Sequence, residues 1–256
     1  MIYVGCCGFN ISRNKYYDLF NTVELQETFY DPPNLEKLKK LRHEAPSNFI
    51  YTMKCWQAIT HPLDSPTWKR SRVKLPPTHK DLYGFLRPTK EVLKAWELVV
   101  EGVKTLNARV LIIQTPPSFN LNDENFKNAK DFFSTVSSSN FIIGWEPRGT
   151  WLDNEEKIAE IIGNFKNLIH ITDPFKYKPA LVKDVNYFRL HGLGGELNYR
   201  YKYSDNDLET LCRIVTGFMD SGKEIYVMFN NIYMVEDALR FKQRCVSKSV
   251  TSSIHE

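Results

Sequence analysis

Short apolar runs rich in Val, Ile, Phe and Tyr recur along the whole chain. They fall at Ile2–Cys6, Thr22–Gln26, Phe49–Lys54, Val110–Gln114, Phe141–Glu146, Leu168–Thr172, Tyr187–His191 and Ile225–Asn230. Between most of them the apolar positions change to a helical spacing, as in Leu35-Leu38-Leu41, Val92-Ala95-Trp96-Val99-Val103 and Ile158-Ile161-Ile162-Phe165. Eight strands alternating with helices predict an α/β protein, a (β/α)₈ TIM-type barrel, since near-continuous apolar strands suit a parallel sheet covered by helices. A doubly wound open sheet is the rival architecture. No Gly-rich nucleotide fingerprint follows the first strand, which counts against it.

The rhythm breaks once. Residues 56–90 open with a long Pro-rich, basic stretch before a helix expected near Thr89–Leu106. A long insertion after strand 3 projects over the face where such barrels carry their chemistry. Residues 1–246 are expected to form a single barrel domain, and 247–256 a fraying tail.

Composition narrows the class. The chain has 256 residues, 42% hydrophobic and 25% charged, within the range of globular domains. No apolar run approaches the roughly 20 residues needed to cross a bilayer, and Met1-Ile2-Tyr3-Val4 reads directly into a strand rather than a signal segment. A cytoplasmic location is therefore expected. The five cysteines (Cys6, Cys7, Cys55, Cys212 and Cys245) are odd in number and lack a CxxC. Buried thiols are expected rather than a disulfide framework or a structural zinc site. The formal charge is +4, yet residues 62–90 alone hold seven basic and two acidic side chains, so one segment carries the whole excess.

Strand parity locates the candidate chemistry. Side chains alternate faces along a strand, which places Arg189 with His191, Glu24 with Gln26, Thr52 with Lys54, and Asn230 with Tyr226 and Met228. Glu146 ends the fifth strand. The apolar parity should face the helices and the polar parity the barrel axis. Buried charges are costly unless paired or used, and here several collect at the strand ends where this fold builds active sites. A buried ion-pair network that merely closes the barrel is the competing explanation.

Six blocks then match a known family in order: Gly5-Cys6-Cys7-Gly8-Phe9, Val23–Tyr30, Gln114–Phe119, Glu146-Pro147-Arg148 before Trp151, Arg189-Leu190-His191-Gly192 and Phe229-Asn230-Asn231. The chain resembles the DUF72 (YecE-like) family over about nine-tenths of its length. The resemblance implies a TIM-type barrel with these polar blocks around a central cleft, and implies little about the reaction. Cys6-Cys7 stand where that family usually has Thr-Ser, Phe9 replaces Trp, Gln26 replaces Asn, and the stretch from Arg148 to Trp151 is shortened.

Among the candidate cleft charges, Glu24, Glu146 and Asp173 face Lys54, Arg148 and Arg189, with His191 able to add another positive charge. Cations at least match carboxylates, so a small anionic partner, phosphorylated or carboxylated, is the expected ligand. In this reading Glu146 or Glu24 is the general base, His191 the acid/base partner, and the cations hold the substrate. Asn230 orients it, Gln26 and Asp173 are further substrate-binding candidates, and Tyr30, Trp151 and Tyr201 wall the pocket. Hydrolysis and isomerisation both fit, and no cofactor is expected. A divalent metal on Glu24, Glu146, Asp173 and His191 is the metal-dependent alternative. Cys7, at the end of strand 1, is a candidate reactive thiol.

Two other classes stay open. Thr67–Lys74 interleaves Trp68 with Lys69, Arg70, Arg72 and Lys74, the pattern of a phosphate-contacting, base-stacking segment, which suggests a nucleic-acid binder or nuclease. A non-catalytic, metabolite-binding barrel is the third reading. No membrane partner is expected, and the sequence leaves the oligomeric state open.

Overall fold

The computed structural model describes residues 1–137, 139–219 and 222–246. Eight strands, β1 (Ile2–Cys6), β2 (Thr22–Leu25), β3 (Ile50–Lys54), β4 (Ala108–Gln114), β5 (Ile142–Glu146), β6 (Leu168–Thr172), β7 (Val185–Leu190) and β8 (Glu224–Phe229), follow one another as a closed parallel barrel. Each of the eight expected runs overlaps one of them, with the ends agreeing to within two residues. The described residues form nine α-helices: α1 (Arg13–Leu19), α2 (Glu27–Tyr30), α3 (Leu35–Glu44), α4 (Gln57–Thr60), α5 (Lys90–Leu106), α6 (Asp123–Val136), α7 (Glu155–Gly163), α8 (Asp205–Thr216) and α9 (Met234–Phe241). Among the described residues no helix lies between β6 and β7. No helix among them is long and apolar enough to cross a membrane, and the tail expected at 247–256 lies outside the described residues.

Contacts divide the chain into two units, Leu25–His170 and the combination of Met1–Glu24 with Ile171–Glu256. In the first, β3, β4 and β5 pair with Lys54 opposite Ile112 and Gln114 opposite Glu146, so β4 and β5 end level and β3 ends two residues earlier. Helix α5 shows how the sequence makes its element. Thr89 caps its start by accepting the Val92 amide, and Asn107 ends it in the left-handed conformation at φ 54°. The buried Val92, Ala95, Trp96, Val99, Val103 and Leu106 recur at three and four residues, forming one apolar stripe. Trp96 meets the Phe132 ring edge-on at 5.6 Å, and Phe133 packs against Trp145 at 5.3 Å.

The second unit carries β1, β7 and β8. Its registers run Tyr3–Tyr226 and Tyr187–Tyr226, so the three tyrosine rings stack at 4.8 and 5.4 Å. Gly5 permits the close approach of β1 to β2, because a Cβ there would lie 2.3 Å from the Thr22 carbonyl oxygen. One sequence expectation is corrected in this unit. Cys212 of α8 and Cys245 form a disulfide at a Cα separation of 5.5 Å, leaving Cys6, Cys7 and Cys55 as free buried thiols. An odd cysteine count does not prevent one pair, and α9 returns the chain so that two cysteines 33 residues apart meet.

Candidate functional site

Each unit holds its own polar group, built from strand ends. In the second unit the centre is Glu24 of β2, fully buried. Arg189 of β7 grips it at two points, Nε to Oε2 at 3.1 Å and an Nη to Oε1 at 2.9 Å, and Tyr187 donates its hydroxyl to Oε2 at 2.9 Å. Tyr187 and Arg189 share one strand parity, so the carboxylate is met by donors from a single face. With both oxygens engaged, Glu24 is an ion-pair anchor rather than an available base.

Cys7 lies beside this pair, its sulfur 3.9 Å from an Arg189 Nη. Burial, and next the Glu24 charge, push the Cys7 thiol well up, against the pull of Arg189. Such a thiol stays protonated at neutral pH, which removes the expectation of a reactive thiolate.

A second cluster in the same unit gathers past β6 and β7. Asp173 accepts the His191 backbone N–H at 3.3 Å and the Phe175 N–H at 3.2 Å, and pairs with Lys176 at 3.2 Å. Lys176 also donates to the carbonyls of Gly192 and Glu196, so Asp173 and Lys176 pin the loop after β7. His191 is buried, and the Asn230 amide N–H is donated to its Nδ1 at 3.1 Å. Tyr201 spends its hydroxyl on Asp207 at 2.8 Å and its carbonyl on Asn231, anchoring the start of α8.

The first unit assembles the other group. Glu146 ends β5, and Arg148, two residues on, donates to its Oε1 at 2.6 Å, both side chains being over nine-tenths buried. Lys54 ends β3 and sits 4.0 Å over the Phe29 ring from α2, while Thr28 of α2 donates to the Lys54 carbonyl at 2.7 Å. The same Phe29 meets the His61 ring edge-on at 4.9 Å. Burial first, then the positive charges of Lys54 and Arg148, depress the His61 pKa to about 3. His170 in β6 is likewise held down to about 4 by burial, against the pull of Glu146. The cluster therefore joins two fixed cations, one carboxylate and a neutral imidazole.

Several expected pocket and nucleic-acid residues have other occupations. Trp151 is fully buried, donates its indole N–H to the Phe119 carbonyl at 2.7 Å and meets Trp145 at 4.9 Å, so it is core and walls nothing. Trp68 is also turned inward, its N–H toward the His61 carbonyl at 3.4 Å, which removes the stacking aromatic from the basic segment. Arg70 lies 4.0 Å over the Tyr30 ring and donates to its hydroxyl. Arg72 pairs with Asp31 at 2.8 Å, and Lys74 donates to the Ser71 carbonyl. Partial burial opposes it, yet hydrogen bonds from Arg72, Ser71 and Val73 hold the Asp31 carboxyl below its usual range. Lys69 is exposed. Gln26 is half-buried at the start of α2. Among the described residues no three His, Cys, Asp or Glu side chains converge in a way that could hold a metal ion.

Sequence reasoning missed His61, His170 and Trp56. His170 lies within a strand read as wholly apolar, and His61 and Trp56 open the segment read as an irregular insertion. The apolar run Ala58-Ile59 between them, buried in the structure, is the signal that this end of the segment belongs to the core.

A parallel eight-stranded barrel with charged strand ends defines a TIM-barrel protein. The family model described as "Protein of unknown function DUF72" matches residues 12–253, and the chain belongs to that family. A DUF72 family protein from Thermotoga maritima has the same fold at 24% identity, with 95% of this chain and 98% of that one covered and a TM-score of 0.68. One from Enterococcus faecalis does so at 17% identity, covering 95% and 97%, with a TM-score of 0.70. A D-tagatose 3-epimerase-like protein is similar in fold at 14% identity, covering 98% and 99%, with a TM-score of 0.60. No curated protein matches the chain.

Proposed function

We propose that the chain is an enzyme acting on a small anionic substrate, phosphorylated or carboxylated, at the cluster of Lys54, Glu146 and Arg148. The observation that carries this reading is the charge balance there. Two buried cations stand against a single carboxylate, and their field helps to keep His61 uncharged. An anion entering the cluster gains charge-assisted hydrogen bonds that a neutral ligand cannot make. Arg148 offers a planar fork and Lys54 a point charge, so together they suit a phosphate or carboxylate group.

Glu146 is the base in this reading. An anion that draws Arg148 toward itself frees a carboxylate oxygen to take a proton from the substrate carbon or from a water. Glu24 and Arg189 hold each other in position. Hydrolysis and isomerisation both remain compatible with these parts, and the likeness to an epimerase-like barrel is one of fold, which assigns no substrate.

The test has two stages. Inorganic phosphate, phosphorylated sugars and small carboxylates are screened by thermal shift against the wild type and Arg148→Ala. A ligand at about a hundred times its Kd stabilises by about 2.7 kcal/mol, which is readily seen. Stabilisation by anions that disappears in Arg148→Ala is the expected result, and anion-independent melting in the wild type overturns the proposal. With a substrate in hand, Glu146→Gln should bind it and lose turnover.

A further inference from the structure

The end of β3 does not stop at Lys54. The Cys55 amide continues the ladder by donating to the Ile112 carbonyl at 2.8 Å, and Trp56 remains extended at φ −61°, ψ 131°. Strand parity therefore carries Trp56 to the same side as Lys54. Trp56 is 6% exposed, and its indole N–H is buried with no acceptor among the described residues. A buried donor left without a partner is uncommon and costly.

His61 follows at the end of α4. It is 4% exposed, and its Nδ1 is hydrogen-bonded to the Thr60 hydroxyl at 2.8 Å, while Nε2 has no hydrogen-bond partner among the described residues. The backbone that presents it is unusually constrained. Gly84, Phe85 and Leu86 all have positive φ, at 75°, 55° and 52°, and donate their amides to the carbonyls of Ala58, Thr60 and Ile59. A Cβ at Gly84 would lie 2.5 Å from the His61 carbonyl carbon. Two successive non-glycine residues in the left-handed region cost about 1 kcal/mol or more each, a strain that persists where surrounding contacts impose it. The segment thus returns to clamp the α4 turn and holds the imidazole edge-on to Phe29, within the field of Lys54 and Arg148.

We propose that Trp56 and His61 complete this anion site, the Trp56 indole N–H donating to the bound anion and His61 Nε2 taking up one proton from solvent as the anion enters. The inference rests on the anion-site reading above and adds a proton to it. The charges bearing on His61 are Lys54 from β3 and Arg148 from the segment after β5, the latter paired with Glu146. Phe29 of α2, Thr60 of α4 and the Gly84–Leu86 backbone contact it without charge. In the empty site burial and the two cations keep the ring neutral. An anion cancels that field and offers an acceptor to a protonated Nε2, so the bound ring favours the charged form. Binding is then linked to proton uptake, and affinity falls as pH rises through the pKa of the bound-state imidazole, by up to about tenfold per pH unit.

Sulfate is the probe, because it stays a dianion from pH 5 to 8 and its own titration does not intrude. Calorimetric titrations at each pH, in two buffers of different ionisation enthalpy, give the affinity and the protons taken up. The wild type should bind sulfate with proton uptake at pH 5 that fades by pH 8. His61→Gln should bind it with no uptake and a nearly flat pH profile, and Trp56→Phe should bind it roughly tenfold or more weakly at every pH. Should His61→Gln fail to fold, the imidazole nitrogen shifts of wild-type His61, read with and without sulfate at pH 5, decide the same point. Failure of sulfate to bind, or binding that survives Arg148→Ala, overturns the anion site and this inference together. Sulfate binding that needs Arg148 but keeps its proton uptake in His61→Gln assigns the proton to another group, such as Glu146, and overturns this inference alone.

Discussion

The two units each bury a carboxylate against a guanidinium, and the difference between the pairs separates scaffold from site. Glu24 is met at both oxygens by Arg189 and again by Tyr187, and none of the three side chains reaches solvent. Glu146 accepts from Arg148 at 2.6 Å, both side chains keep slight exposure, and a further cation, Lys54, stands in the same group with His61. A saturated pair has nothing left to offer a ligand. A pair with a second cation in the same group is the better candidate, and the field of Lys54 and Arg148 adds to burial in depressing the His61 pKa.

The largest test of this contrast is a pair of isosteric changes followed by urea unfolding. Glu24→Gln strands the Arg189 charge in a dry site and should cost about 3–5 kcal/mol. Glu146→Gln, where exposure and a rearranged Arg148 soften the loss, should cost about 1–3 kcal/mol. Equal costs would erase the distinction between the two pairs.

The disulfide belongs to the Glu24 unit. Cys245→Ser removes a cross-link 33 residues apart in sequence, and should lower stability by about 2–4 kcal/mol under non-reducing conditions. With reductant present, wild type and variant should melt together. A difference that persists in reductant would show that packing of the sulfur, not the cross-link, is what matters.

Acid separates the units by sign. His61 and His170 titrate in the folded chain at about 3 and about 4, below the unfolded value near 6.5. The unfolded state therefore binds more protons, and stability falls as pH drops below 6.5, by about 2 kcal/mol for each histidine at pH 5. Burial raises the Asp237 carboxyl in the other unit, against hydrogen bonds from Asn231 and Tyr203, so its protonation on acidification favours the folded form. Amide hydrogen exchange at pH 7 and pH 5, corrected for intrinsic rates, should show protection lost first in Leu25–His170, and His61→Gln should blunt the loss. Uniform loss across the chain would contradict it.

The smallest effect is expected on the surface of the basic segment between β3 and α5. Arg72 is 87% exposed where it pairs with Asp31. Arg72→Ala should therefore change stability by less than about 1 kcal/mol, with no change in sulfate binding. A loss of anion affinity there would move the site outward from Lys54 and Arg148.

The barrel was legible because its signal is repeated. Eight apolar runs with helical spacing between them leave few architectures, and parity alone put Arg189 and Glu24 on the polar faces of their strands. The nearby errors have local causes. Trp151 and Trp68 resemble ligand-facing aromatics in sequence, since an indole suits either a core or a pocket, and only the Phe119 and His61 carbonyls that their N–H groups approach mark them as interior. The basic segment looked like a free cationic surface, yet Tyr30, Asp31 and the Ser71 carbonyl engage three of its four cations.

The sequence by itself determined the strands, the faces on which their charges lie, and the family to which the chain belongs. These follow from period and order, which are properties of neighbours along the chain. Only the tertiary structure decided which charges are used up and which remain. Arg189 closes on Glu24 from 165 residues away, Cys245 finds Cys212, and the strained turn at Gly84–Leu86 returns to clamp His61 beside Lys54. Pairing, desolvation and the fields that shift a pKa depend on distances through space, and the chain sets those distances only once it has folded.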